Sequence, residues 1–305
     1  MQAMSSSHSQ QPLGEWISKA KAALGRYRLP LFAAALALFA TGLWWSTTQL
    51  SLDWSDLDPL LLLIVALILA PMGIIYGALN FMVMARGADL QIPFWSAFKT
   101  TCIAQFAAVL PLPGAMLVRG GAMMARGSSV GGAASHVTAN ALLWIACAGI
   151  AAGLSLTAIT GSVHPVSFAI LIGGTLGAGL CTFWLARVSS LGLAMGVLTL
   201  RFAGVALSGL RLTAAFAAIG MAIPYAEAFP FAFANIVGNA SAIAPAGLGI
   251  SEGLAAAIAT LSGITSAAAF LAVGINRIIG IAVSGILTGI ISLGTSKPSN
   301  TTEEL

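Results

Sequence analysis

Four charged side chains stand inside apolar stretches of this chain: Arg119 in "VLPLPGAMLVRGGAMMARG", Arg211 in "SGLRLTAAF", Glu252 in "PAGLGISEGLAAA" and Arg277 in "LAVGINRIIG". An arginine at the centre of a lipid-crossing helix costs about 2.5 to 3.5 kcal/mol on insertion scales, so each needs a partner. Glu252 can neutralise one of the three, which leaves two positive charges unbalanced. The planar guanidinium fork fits a phosphate through two parallel hydrogen bonds. The chemistry open to these residues is therefore capture of an anionic phosphate head group. The structural alternative is that the arginines satisfy carbonyls freed where the helices break, with Arg211 or Arg277 clamped to Glu252. Amides stand beside them: Gln105, then Asn235 and Asn239 at i, i+4 spacing, then Asn80, Asn140 and Asn276. Hydrogen bonds between packed helices are the commoner use of such amides.

Little else is built for reaction. The chain lacks a Gly-x-x-x-x-Gly-Lys-Ser/Thr phosphate loop, a His-Glu-x-x-His metal motif and a Gly-x-Ser-x-Gly nucleophile elbow. Cys102, Cys147 and Cys181 are odd in number, lie in or beside apolar runs and read as small hydrophobes. His136 stands without a neighbouring carboxylate. No catalytic residue, metal site or cofactor is expected, and the chain is not read as an enzyme.

The elements that position these residues follow from composition. Of 305 residues, 58% are hydrophobic and 7% charged, against about 25% charged in soluble domains. The chain is therefore read as an all-α polytopic membrane protein. Runs near the roughly 20 residues that a crossing helix needs occur at Pro30 to Leu50, Leu60 to Met84, Val130 to Ala158, Val166 to Ala186, Phe202 to Ile223 and Thr265 to Leu293. Six spans are expected. Residues 1–29 form a cytoplasmic segment whose stretch "LGEWISKAKAALGRYR" reads as a basic surface helix, residues 30–293 the membrane domain, and residues 294–305 a cytoplasmic tail. The net charge of +4 is read as a topology signal and not as a sign of nucleic acid.

Two apolar segments are broken, Phe98 to Met124 by "PLPG" and Phe229 to Leu261 by "PAGLG". Treating each as a re-entrant hairpin places Lys19, Lys21, Arg26, Arg28, Arg86, Lys99, Arg126, Arg187, Arg201 and Lys297 in cytoplasmic positions and no loop cation outside. Both termini are then cytoplasmic. Each half, about 30–158 and 165–293, reads span, span, hairpin, span, in opposite orientations. Gln105 precedes Pro111 by six residues as Asn239 precedes Pro245, and Arg119 follows Pro111 by eight as Glu252 follows Pro245 by seven. Inverted repeats with interrupted helices point to a transport site near the midplane. The patterns "GGTLGAG" and "GILTG" read as close helix packing.

The stretch "VLPLPGAMLVRGGAMMARGSSVGGAA", with "IAPAGLGISEGLAAAIATLSGITSAAAFLAVGINRIIG" after it, resembles the two signature regions of the lysylphosphatidylglycerol synthase transmembrane family, the flippase-like domain. The resemblance runs from about Pro30 to Leu293 and rests on glycines, prolines and a few charges. It implies a bacterial inner-membrane protein that moves or handles lipids. Residue by residue it covers Pro113, Gly114, Arg119, Pro245, Gly247, Gly249, Glu252 and Arg277. Two acidic features common in the family are replaced: Met116, Leu117 and Val118 precede the first arginine, and Ala139, Asn140 and Leu143 stand where a Glu-Arg-x-x-Asp cluster is usual. The soluble synthase domain of the full-length relatives does not follow the last span within this sequence.

The expectation is translocation of a lipid with an anionic phosphate head group. Arg119, Arg211 and Arg277 would contact phosphate, Glu252 would orient them, and Gly114, Gly247, Gly249, Gln105 and Asn239 would complete the site. The rivals are a transporter of a small anionic solute and a non-catalytic membrane partner of a lipid-modifying enzyme or glycosyltransferase.

Overall fold

The computed structural model describes residues 30, 32–109, 114–162, 164–240 and 247–295. The expected surface helix, the tail beyond residue 295 and the break residues Pro111, Pro113 and Pro245 lie outside that set.

The described residues fold into helices without a strand. In chain order they are α1 (32–49), α2 (Pro59–Arg86), α3 (Phe94–Ala107), α4 (Gly114–Met124), α5 (Val130–Thr160), α6 (Pro165–Val188), α7 (Leu191–Ala218), α8 (Phe229–Ala240), α9 (Ile250–Ser262) and α10 (Ser266–Thr295). Five of them, α2, α5, α6, α7 and α10, are long and apolar enough to cross a membrane. This is a helical multi-pass membrane protein. The expected first span falls on α1, which is not among the five; its last residues, Ser46 to Gln49, are polar.

Local sequence sets the helix ends. Asp58 caps α2 by accepting from the Leu60 and Leu61 amides, with Pro59 in the first helical position. Ser129 and Ser190 cap α5 and α7 in the same way. Within α2, Pro71 has no N–H to offer the preceding turn, and that turn widens to the π form over Val65–Leu69. The wide turn lies directly before Gly73, Tyr76 and Gly77.

One boundary departs from expectation. The span predicted from Phe202 to Ile223 is α7, which begins at Leu191 and ends at Ala218. The stretch "LGLAMGVLTL" is apolar and free of breakers, so the helix runs back to the Ser190 cap. Arg201, assigned above to a cytoplasmic loop, is therefore well inside α7 and 5% exposed.

Helices α3 and α4 form one short pair, and α8 and α9 another. At about 1.5 Å per residue the four are roughly 16 to 21 Å long, short of the about 30 Å hydrocarbon layer. The members of each pair meet at their break. A Cβ on Gly114 would stand 2.1 Å from the Ala107 carbonyl oxygen, and one on Gly247 would stand 2.2 Å from that of Gly238. Gly247 also turns the chain at φ +67°, a conformation that L side chains rarely adopt.

Small residues bring the long helices together. Helix α5 packs along α6, where a Cβ on Gly174 would meet the Ile150 nitrogen at 2.7 Å and one on Gly153 the Leu171 nitrogen at 2.8 Å. Within the expected packing patterns, Gly174, Gly177 and Gly285 make such approaches, while Gly173, Gly179 and Gly289 face open space. Large apolar side chains such as Leu38, Leu67, Leu180 and Leu293 cover the outside. Trp44, near the end of α1, and Trp95, at the start of α3, are exposed, as suits the amphipathic belt at a membrane boundary.

Candidate functional site

A cavity of about 400 Å³ lies among α2, α4, α5, α7, α8 and α10, with Gln105 of α3 at its wall. Each helix contributes one face. On α7 these are Arg201, Gly204, Ser208 and Arg211; on α2 they are Gly73, Tyr76, Gly77 and Asn80; on α10 they are Asn276, Arg277, Gly280 and Ser284. Spacings of three, four and seven residues stack side chains along one stripe of a helix.

The structure brings together most of the residues singled out above. Arg119, Arg211, Arg277, Gln105, Asn239 and Gly114 all line the cavity. Glu252, Gly247 and Gly249 do not. Glu252 is fully buried behind the wall, where its Oε1 lies 2.9 Å from Arg277 Nε. Its Oε2 accepts from the Gly249 amide at 2.8 Å, capping α9. Gly249, at φ +80°, holds the turn into that helix.

Arg277 is held on every side. Besides Glu252, its Nη2 donates to Asn235 Oδ1 at 3.3 Å and to Ser251 Oγ. Ser251 in turn donates to the Asn235 carbonyl. This ties α8, α9 and α10 into one unit.

Arg211 is seated differently. Its Nη2 donates to the Asn276 carbonyl at 3.2 Å, while its Nε has no hydrogen-bond partner. The guanidinium lies against bare backbone: a Cβ on Gly73 would approach Nη1 to 3.3 Å, and one on Gly280 would approach Nη2 to 3.1 Å. Arg119 Nε is likewise buried without a hydrogen-bond partner.

The residue that sequence reasoning missed is Arg201. Its Nε donates to Asn140 Oδ1 at 3.0 Å and its Nη1 to the Tyr76 hydroxyl at 3.2 Å. The Trp144 ring centroid lies 5.1 Å from the guanidinium carbon, a cation–π contact. Asn140 then donates to Asn80 Oδ1 at 2.8 Å, so a polar chain runs from α7 through α5 to α2. A signal was present: Arg201 and Arg211 flank Gly204 and Ser208 at helical spacing on an apolar helix.

No protein-family model and no curated protein matches this chain in sequence. The cavity must therefore be read from its own chemistry. Among the described residues four guanidinium groups line it, no carboxylate does, and the Glu252 carboxylate stands behind Arg277. His136 takes no part: its ring nitrogens lie 2.9 Å from the Gly132 carbonyl and 3.1 Å from that of Gly87, where they tie α5 to the end of α2. Cys147 is packed among apolar neighbours from α5 to α7.

Proposed function

We propose that this chain is an inner-membrane protein that moves a lipid with an anionic phosphate head group between leaflets, its six spans including α1. The α3–α4 and α8–α9 pairs are re-entrant hairpins that enter from opposite faces as parts of an inverted repeat. Their lengths support this, since no member of either pair can cross alone. The repeated order of long, long, short pair and long from α1 to α5 and from α6 to α10 supports it too. With Arg201 removed from the loops, Lys19, Lys21, Arg26, Arg28, Arg86, Lys99, Arg126, Arg187 and Lys297 remain as the cytoplasmic cations of this topology.

The observation that carries the reading is a cavity among apolar helices with four arginines and, among the described residues, no acidic residue in its wall. Uncompensated charge in a low-dielectric interior is expensive, and a phosphate group supplies the missing countercharge. A lipid is favoured over a small solute because the cavity is not sealed within the apolar helices: its lining includes Leu142, 51% exposed, and Asn239, which is exposed beside the second break. The acyl chains then stay in the bilayer while the head group enters. The resemblance to the flippase-like family points the same way. Arg119, Arg201, Arg211 and Arg277 are the head-group ligands, and Glu252 fixes the orientation of Arg277.

The test is lipid transfer in vesicles containing the purified protein and a fluorescent phosphatidylglycerol, followed by an impermeant quencher. Wild type exposes the inner-leaflet pool, and a variant carrying Arg119→Ala and Arg211→Ala does so at least about tenfold more slowly, the loss of one or two charge-assisted hydrogen bonds. A protein that accelerates transfer of no anionic lipid overturns the reading.

A further inference from the structure

The charges around the cavity are unequally balanced, and the imbalance bears on the head group. Arg277 is paired with Glu252 and brings no net charge. Arg119, Arg201 and Arg211 pair with no acidic side chain among the described residues. Two of these, Arg119 and Arg201, line the same cavity, and Tyr76 lines it with them. Like charges that share a low-dielectric cavity repel. A single negative charge placed between them leaves the cluster unbalanced.

The donors there are also arranged for more than one acceptor. Arg201 is held by Asn140, Tyr76 and the Trp144 ring, which line the cavity with it. The Tyr76 hydroxyl accepts from Arg201 and keeps its own proton to donate. Arg119 lines the same cavity from α4. Two guanidinium forks and a phenol from three helices therefore line one cavity.

We propose that the head group taken by this cavity ends in a phosphate bearing two negative charges, a terminal phosphate monoester, in preference to the singly charged diester of common glycerophospholipids. This rests on the lipid reading above. A monoester presents three free oxygens and close to two charges at neutral pH, which matches Arg119, Arg201 and Tyr76. A diester offers two free oxygens and one charge, and leaves two of the three unpaired arginines uncompensated.

The experiment compares lipids retained by the full chain, purified from phosphatidylcholine vesicles doped with equal amounts of phosphatidic acid and phosphatidylglycerol and read by native mass spectrometry. Phosphatidic acid is expected to be retained over phosphatidylglycerol by about tenfold, the factor that one further charge-assisted hydrogen bond supplies. Arg119→Gln narrows that ratio; the loss of Arg119 leaves no protein hydrogen bond unmade at Nε. The ratio also falls as pH drops through about 6, where the monoester takes up its second proton. The other charged and titratable groups facing the ligand are Tyr76, Arg201, Arg211 and Arg277, with Glu252 behind Arg277. Among the described residues none of the lining groups is a histidine or a carboxylate, so the fall reports the ligand. Equal retention of the two lipids, insensitive to Arg119→Gln and to pH, overturns the monoester inference and leaves anionic-lipid binding intact. An arm with inorganic phosphate separates the two claims further. If free phosphate displaces bound phosphatidic acid stoichiometrically at equal concentration, the preference for a dianion stands and the lipid reading fails.

Discussion

The two short helix pairs share a layout but not a charge balance. Beside the second pair the cation is answered within the protein: Arg277, on α10, meets Glu252 and Ser251 of α9 and Asn235 of α8, and all three are buried or half-buried beside it. In the first pair Arg119 has no such carboxylate among the described residues, and Met116, Leu117 and Val118 occupy the turn before it. Helix α7 serves both sides. Its Arg201 is bonded to Asn140 on the long helix after the first pair, and its Arg211 to the Asn276 carbonyl on the long helix after the second. One half of the cavity is thus a closed ion-pair network and the other an open cationic wall. A closed network stabilises a fold, whereas an open one attracts an anion from outside it.

Breaking the closed half has the largest expected effect. Glu252→Ala strands a buried guanidinium and removes the α9 cap, a loss of about 3 to 5 kcal/mol. Thermal unfolding of the purified protein measures it. Adding Arg277→Ala to that variant recovers part of the loss, because the stranded charge is then gone. An unfolding midpoint that does not move in Glu252→Ala shows that the pair is not what holds the second break together.

The breaks themselves come next. Gly247→Ala meets the Gly238 carbonyl and must also adopt a left-handed backbone, a combined penalty of about 2 to 4 kcal/mol. Gly114→Ala meets the Ala107 carbonyl only, for about 1 to 3 kcal/mol. Unfolding should therefore rank Gly247→Ala below Gly114→Ala. The reverse order indicates that the first break is the more tightly closed of the two.

Gly280→Ala is smaller again. The added methyl would stand 3.1 Å from Arg211 Nη2, the end of a flexible side chain that can yield. Stability falls by less than about 1 kcal/mol, while lipid transfer slows because Arg211 is pushed off its seat. Equal transfer by Gly280→Ala and wild type argues against a role for the Arg211 position.

Much of this was legible in the chain. Hydropathy located α2, α5, α6 and α10 to within a few residues, and the proline–glycine breaks located both short pairs. Arg119, Arg211, Arg277 and Glu252 were visible because a charge in an apolar run is rare. Arg201 was not, since a window that starts a span after a charge cannot see that "LGLAMGVLTL" continues the helix on its other side. Tyr76, Trp144, Gly73 and Gly280 were invisible for another reason. Their roles come from contacts between helices distant in sequence, which one-dimensional periodicity does not encode.

The sharpest comparison carries the smallest change in stability and the opposite sign. Among the described residues Arg119 gives up no carboxylate when it is removed, and its Nε gives up no hydrogen bond, so Arg119→Ala relieves an uncompensated charge. Unfolding of the delipidated protein should be unchanged or shifted upward by about 1 kcal/mol or less. The same substitution should reduce the anionic phospholipid carried through purification, because the countercharge comes from the ligand and not from the protein. A drop in stability as large as that of Glu252→Ala would mean that Arg119 is answered within the fold after all, and the contrast between the two halves would disappear.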